Sequence, residues 1–515
     1  MGTLDARIAL ALMAKAELVF GQQGVVLSFP TASSSYTASQ LNFFPEAPTA
    51  ESARLALTGL FDFSAFANTI PDGRVWQGLS DRPNLAQVYR RVIEGAEVAA
   101  LPENPQDLEQ LQAARALILA SAPDGTPVDT PVYTAYKECR DAYLLASQQY
   151  NAAKTSGELG DAAARQAWEA GEPDLHAVRD RALEAWQVEG HRAEVDDALA
   201  KIAMLNQKTP STTWGEWDMR SRSGVGTVTD LAGAPFWPTY ISPANACDSG
   251  WQVMRLNSGE VQALQASAPE QLKARLGSGG TALNVDELEF EYTSAKLHRP
   301  WFDSAVFPAR FWRPRAAMPI ALSSGAEPYA GECPLYASGV VFFRRIRATV
   351  QGETGDVAAK LGTMGDKLDM GFLTLNRQRL QVVSTQAAPA AAAAEAPVLS
   401  AASARMIAGS LQGGALATAL RRPAAGSIRA DIQVTNGPPG PGSARQRFAM
   451  NAILNKRLVI RRPQQSPPII PVPAPPPQPG KSVLETSRDD IFVLALICSV
   501  VPPSPNPDPG LKWSG

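Results

Sequence analysis

The sequence predicts an α+β protein: a β-rich, sandwich-like and mostly antiparallel domain with an inserted α-helical hairpin region. Three observations carry this. Leu288, Phe290 and Tyr292 alternate with Glu287, Glu289 and Glu291, the period-two pattern of a half-buried strand. Tyr136, Tyr143 and Tyr150 recur every seven residues with Cys139, Ala146 and Ala153 between them, the large-against-small seam of a long packed helix. A strand-like segment, 24–30, precedes the helices and strands resume after 212, so a single β-rich domain interrupted by helices is the economical arrangement. The alternative is an independent N-terminal helical domain followed by a β domain.

Residues 1–32 read as the first helix and strand of the β-rich domain. Asp5 precedes the apolar run Ile8 to Phe20 and Lys15 interrupts it, so the run reads as a helix and not as a signal peptide. Residues 33–131 form a mixed helical segment, with helices expected over Ala50 to Leu60, Leu85 to Ala99 and Asp107 to Ser121. Thr126-Pro and Thr130-Pro mark a turn-rich boundary.

Residues 132–206 read as an antiparallel helical hairpin arm. Gly157 and Gly160 break the tyrosine helix, and Gly171-Glu-Pro-Asp174 reads as a second break with Asp174 as N-cap. The following helix carries Val178, Ala185, Val188, Val195, Leu199 and Ile202 at heptad-like spacing, interrupted by Arg192 and weakened by Gly190.

Residues 207–386 read as an aromatic-rich β domain. Its β character starts at Thr212, and six of the ten tryptophans fall between 214 and 312. Asn257 to Leu276 includes a helix. Gly339 to Gln351 reads as a strand with Val340, Phe342, Ile346 and Val350 on one face, and Gly371 to Thr385 as a hairpin about Asn376. Residues 387–425 are an Ala/Gly-rich low-complexity loop. Residues 426–515 complete the β domain. Strands are expected over Ser427 to Thr435 and Asn451 to Arg462, then a proline-rich linker over 462–480. Asp490 to Val501, nearly all apolar, reads as a central, buried last strand.

The stretch from Asp286 to Arg315 holds the candidate site. After Pro300 ends regular pairing, aromatic rings and guanidinium groups crowd together. Arg299, Trp301, Phe302, Arg310, Phe311, Trp312 and Arg313 form the candidate interaction surface. Such a mixture suits a protein-binding hot spot, base stacking or a membrane interface. The competing reading is structural, with the arginines stacked on the rings at the rim of a β core. Glu289 and Glu291, two apart on one strand face, have the spacing of a hydrolase carboxylate pair, a pattern that a solvated strand also gives.

Composition excludes several classes. Net charge is −3, which argues against nucleic acid as partner. Only His176, His191 and His298 occur, and Cys139, Cys247, Cys333 and Cys498 lack CxxC spacing, so no metal or other cofactor is expected. No apolar run reaches the roughly 18 residues of a membrane-spanning helix. Nucleotide-binding, metalloprotease and nucleophile-elbow signatures are absent; Gly224-Val-Gly226 lacks the third glycine of a dinucleotide loop. Heavy use of Ala, Pro and Arg suggests a GC-rich bacterial genome.

These readings point to a non-enzymatic interaction or structural protein with a protein partner or self-association. It is expected to be cytoplasmic as synthesised, with any export independent of a signal peptide. Two alternatives stand beside it: a membrane-active, toxin-like protein that uses the hairpin or 387–425, and a hydrolase with scattered carboxylates.

Overall fold

In a computed structural model the chain is a mixed α+β fold built on one large sheet. The described residues are 2–384 and 480–513, apart from 4–5, 23, 31–34, 46–47, 77–83, 122–126, 226–227, 249, 268–282, 364–366, 370–373, 377–379 and 488. The expected loop 387–425, the strands over 427–435 and 451–462, and all of the proline-rich stretch but Gly480 lie outside them.

The chain opens with β1 (Gly2–Thr3), α1 (Ala6–Phe20), β2 (Val25–Pro30), β3 (Ser35–Tyr36), α2 (Ala38–Leu41) and α3 (Ala50–Ala67). Next come β4 (Val75–Trp76), α4 (Leu85–Gly95), β5 (Ala96–Val98), α5 (Pro105–Ile118), β6 (Leu119–Ser121) and β7 (Pro127–Asp129). Four long helices follow: α6 (Pro131–Leu159), α7 (Ala162–Val188), α8 (Arg192–Lys208) and α9 (Pro210–Val225). The chain continues with β8 (Tyr240–Ser242), β9 (Gln252–Leu256), α10 (Ser258–Ser267), β10 (Val285–His298), β11 (Trp312–Pro314) and β12 (Leu335–Gln351). Last are α11 (Thr354–Thr363), β13 (Lys367–Asp369), β14 (Thr374–Asn376), β15 (Leu380–Ser384), β16 (Lys481–Thr486) and β17 (Ile491–Val500).

The large sheet runs β15-β16-β12-β17-β2-β4, with β10 hydrogen-bonded to β12, β8 and β9. Its strands come from both ends of the chain: β17 pairs antiparallel with β12 on one side and with β2 on the other. β17 is therefore central and buried, as its apolar run predicts. The hairpin expected about Asn376 does not form, because β14 pairs with β13 while β15 pairs with β16.

Side chains of the central strands alternate between two cores. Leu27, Phe29, Val341, Phe343, Phe492 and Leu494 pack with α1, where the Phe20 and Tyr292 rings meet edge-on at 5.4 Å. Val26, Val340, Phe342, Ile491 and Val493 pack with α3, where Phe63 lies 6.0 Å from Phe342. A sandwich would put a second sheet over one of these faces; among the described residues, helices cover both. α1 takes its place because it is apolar around its circumference, and such a helix is stable only when enclosed.

A bulge corrects the expected faces of β12. Glu289 stands opposite Arg347 and Glu291 opposite Arg344, so Arg345 and Ile346 face the single residue between the glutamates. Arg345 takes a left-handed backbone, φ 50°. The extra residue reverses the alternation, and Ile346 joins Val341 and Phe343 under α1 instead of Val340 and Phe342.

Two helix boundaries also differ from expectation. α7 runs through Gly171 and Pro173, with Asp161 and not Asp174 as N-cap, and the chain breaks at Gly190-His191. Trp168 and Trp186 hold α7 to α6 on either side of Pro173, so packing outweighs the lost hydrogen bond. The turn to β character at Thr212 is displaced by α9: Trp214 and Trp217, one turn apart, share a helix face and meet Phe311.

Candidate functional site

The stretch from Arg299 to Arg315 folds inward. Trp301, Phe311 and Trp312 are buried, each among aromatic neighbours: Tyr89 beside Trp301 at 6.1 Å, Trp217 stacked on Phe311 at 5.7 Å, and Trp214 beside Trp312 at 6.0 Å. Each buried indole N–H finds a carbonyl, Trp301 on Pro238 (2.8 Å) and Trp312 on Val306 (2.9 Å), which makes enclosure affordable. Four of the seven residues of the expected interaction surface, Arg299, Trp301, Phe311 and Trp312, are therefore core and not surface. Phe302 and Arg313 are half-buried; Arg310 is exposed. Arg313 donates to Glu97 (2.8 Å) and lies 4.9 Å from the Trp513 ring, so the C-terminal tail closes this cluster.

Arg299 is 6 % exposed. Its Nε donates to Asn68 Oδ1 (2.8 Å), Nη1 to the carbonyl of Ala337 (2.7 Å) and Nη2 to that of Ala67 (2.8 Å). Ala67 ends α3, so the negative end of that helix stands in for a carboxylate. Burial lowers the guanidinium pKa to about 10. Burial also raises the thiols of Cys333, to about 12, and Cys498, leaving both as protonated, unreactive groups. All four cysteines are free.

Glu289 and Glu291 lie in a lattice of cross-strand ion pairs. Arg344 Nε and Arg345 Nη1 both donate to Glu291, each at 2.7 Å, and Arg344 also covers the Trp251 ring at 4.0 Å. Arg255 donates to Glu289 (2.5 Å), and Arg347 joins Glu289 to Glu485. The bulge at Arg345 brings two consecutive arginines to one carboxylate. Both carboxylates are occupied by guanidinium groups.

The tyrosine seam of α6 meets α7 in reverse order. Tyr136 and Tyr143 contact Trp186 at 5.7 and 5.6 Å, while Tyr150 contacts Trp168 at 5.3 Å. Arg192 and Arg179 cover the outer rings, Arg192 over Trp186 at 4.0 Å and Arg179 over Tyr150 at 4.5 Å. Gly157 is required here, because a Cβ on it would lie 2.3 Å from Trp168 Cβ. α7 has no buried residue, and Val188 at its end is 69 % exposed. Val188 and Leu199 thus leave the expected seam, since the break at Gly190-His191 resets the helical phase.

One polar cluster escaped the sequence reading. Lys15, fully buried in α1, donates to Glu260 Oε1 (2.5 Å), to Ser156 Oγ (2.7 Å) and to the Arg255 carbonyl. Glu260 in turn caps α10 by accepting from Asn257 N–H (3.1 Å). The signal was present as a lone cation in an apolar run, but its partner lies 245 residues away.

Among the described residues no group of His, Cys, Asp and Glu side chains could hold a metal ion, and no helix is long and apolar enough to cross a membrane. Comparison of the chain with protein-family models, with curated proteins and with solved structures finds no match.

Proposed function

We propose that this chain is a non-enzymatic interaction or structural protein whose α6–α7 hairpin, inserted into the β-rich body, is the contact arm. The observation that carries the reading is α7, a helix of 27 residues with none buried. Tertiary packing of one face normally sustains such a helix; here the inner face rests on α6 through Trp168 and Trp186. The outer face carries Ala163, Ala167, Ala170, Asp174, Ala177, Arg181, Glu184 and Val188, all exposed and spaced alternately by four and three.

The partner favoured by this face is a second copy of the same helix. An antiparallel pair of α7 helices sets Ala163 against Glu184, Ala167 against Arg181, and Ala170 against Ala177, with the Asp174 of each copy facing the other at the centre. The small half of each stripe then receives the long half of the other, and opposed alanines allow close approach. The apolar side chains are few and charges are frequent, which favours a protein partner over lipid.

Light scattering of the full chain, with liposome flotation in the same buffer, tests this. A discrete oligomer that does not float, and that Ala170→Arg with Ala177→Arg converts to monomer, is the expected result. Both substitutions fall on exposed positions, so the fold persists. A monomer at all concentrations overturns the self-association reading, and flotation with oligomer formation favours the membrane-active one.

A further inference from the structure

We propose that α7 is a strap that opens from α6 as one cooperative unit while the rest of the fold stays closed. α7 packs chiefly along α6, with a small contact to α8. The helices on either side of it are anchored elsewhere. α6 packs against α1, α10 and β9, and α8 packs against α5. Ser156 of α6 accepts from Lys15 of α1 (2.7 Å), and Arg115 of α5 donates to Asn206 of α8 (3.0 Å). α8 also buries Val195, Ala198 and Leu205. α7 buries no residue, so its opening exposes little core while both neighbours keep theirs.

The sequence weakens α7 from within. Pro173 lies inside the helix, where it offers no N–H and its ring crowds the carbonyl one turn back. Gly171, two residues earlier, adds a second position of low helix preference. A helix of this kind is sustained by what it leans on. Here that support is a set of ring contacts: Trp168 with Tyr150 at 5.3 Å, Trp186 with Tyr143 at 5.6 Å and with Tyr136 at 5.7 Å, and His176 with Tyr150 at 6.0 Å. The buried indole N–H of Trp186 has no acceptor among the described residues, unlike those of Trp301 and Trp312. Its ring is therefore held by apolar contact and by Arg192 above it.

Both joints of the strap contain glycine, which tolerates a change of backbone conformation. Gly160 ends α6 just before the Asp161 N-cap, and Gly190 precedes His191, whose φ of 49° separates α7 from α8. Opening uncovers Tyr136, Tyr143 and Tyr150 of α6. A partner on the outer face of folded α7 draws the equilibrium to the closed state.

Hydrogen exchange of the full chain tests this, read by peptide mass spectrometry and corrected for intrinsic rates. A dilution series separates protection by self-association, which falls on dilution, from protection by α6, which does not. At the lowest concentration, peptides from 162–188 are expected to exchange about tenfold or more faster than those from 131–159 and 192–208, at one common rate along the helix. Pro173→Ala restores a helical hydrogen bond and is expected to slow the whole of 162–188 by about tenfold or more, with 131–159 unchanged. Trp186→Ala is expected to speed it. Protection of 162–188 equal to that of 131–159 overturns the proposal, as does fast exchange confined to the helix ends. A Pro173→Ala effect limited to the residues beside position 173 overturns the cooperative unit. Equal, fast exchange of α6 and α7 also overturns it, because the two helices would then open together.

Discussion

Arg299 closes the C-terminal end of α3 by donating from Nη2 to the carbonyl of Ala67 at 2.8 Å. The same guanidinium reaches Ala337 in β12, so one side chain ties the helix layer to the sheet. Arg299→Met takes the guanidinium donor from the Ala67 and Ala337 carbonyls and one of two donors from Asn68 Oδ1, which keeps the Thr239 hydroxyl. The expected loss is on the order of 3–5 kcal/mol in urea denaturation, as when one member of a buried charged cluster is removed. Arg299→Lys keeps the charge but loses the fork, and its midpoint should fall between the other two. Equal midpoints for wild type and Arg299→Met would show that the cation is not integral to this junction.

Lys15 and Glu260 form the second buried anchor, joining α1 to α10 and, through Ser156, to α6. Lys15→Met strands a buried carboxylate and is expected to cost about 3–5 kcal/mol. Lys15→Met with Glu260→Gln removes both charges while Gln retains a cap for α10, so the double variant should be more stable than Lys15→Met alone. A double-mutant cycle by chemical denaturation measures this coupling. Additive single effects would contradict the pairing.

Arg345 tests the bulge. A left-handed backbone costs a non-glycine residue about 1–2 kcal/mol, whereas its exposed ion pair with Glu291 contributes under about 1 kcal/mol. Arg345→Gly should therefore be neutral or slightly stabilising in thermal melts. Arg345→Val, branched at Cβ, should destabilise by about 1–2 kcal/mol. If Val is tolerated as well as Gly, the bulge is not where the register places it.

Alkaline pH is expected to loosen the fold. Burial raises the phenols of Tyr136 and Tyr240 to about 12 and carries those of Tyr89 and Tyr292 upward from their usual value of 10.0. Their folded pKa lies above the unfolded one, so their contribution is complete below pH 10 and is lost as pH rises toward 12. Phenolate absorbance should lag behind that of free tyrosine and then rise together with loss of ellipticity. Full ionisation while ellipticity is intact would refute the burial of these rings.

Much of the architecture was legible in local pattern. The central last strand, the inward Leu288, Phe290 and Tyr292, and the tyrosine seam of α6 follow from periodicity, because burial of one face repeats at the period of the element. Tertiary structure decided what local pattern leaves open. The parity of β12 changed because one residue, Arg345, enters a bulge that no composition signals. α7 continues past Pro173 because two tryptophans hold it to α6, so packing overrides propensity. The aromatic and arginine stretch turned inward because its buried N–H groups found acceptors: Trp312 on Val306 within the stretch, Trp301 and Arg299 on segments distant in sequence. Lys15 and Glu260 meet only when α1 and α10 have assembled. Periodicity thus determined which residues seek burial; the long-range partners that satisfy their polar groups decided where each one went.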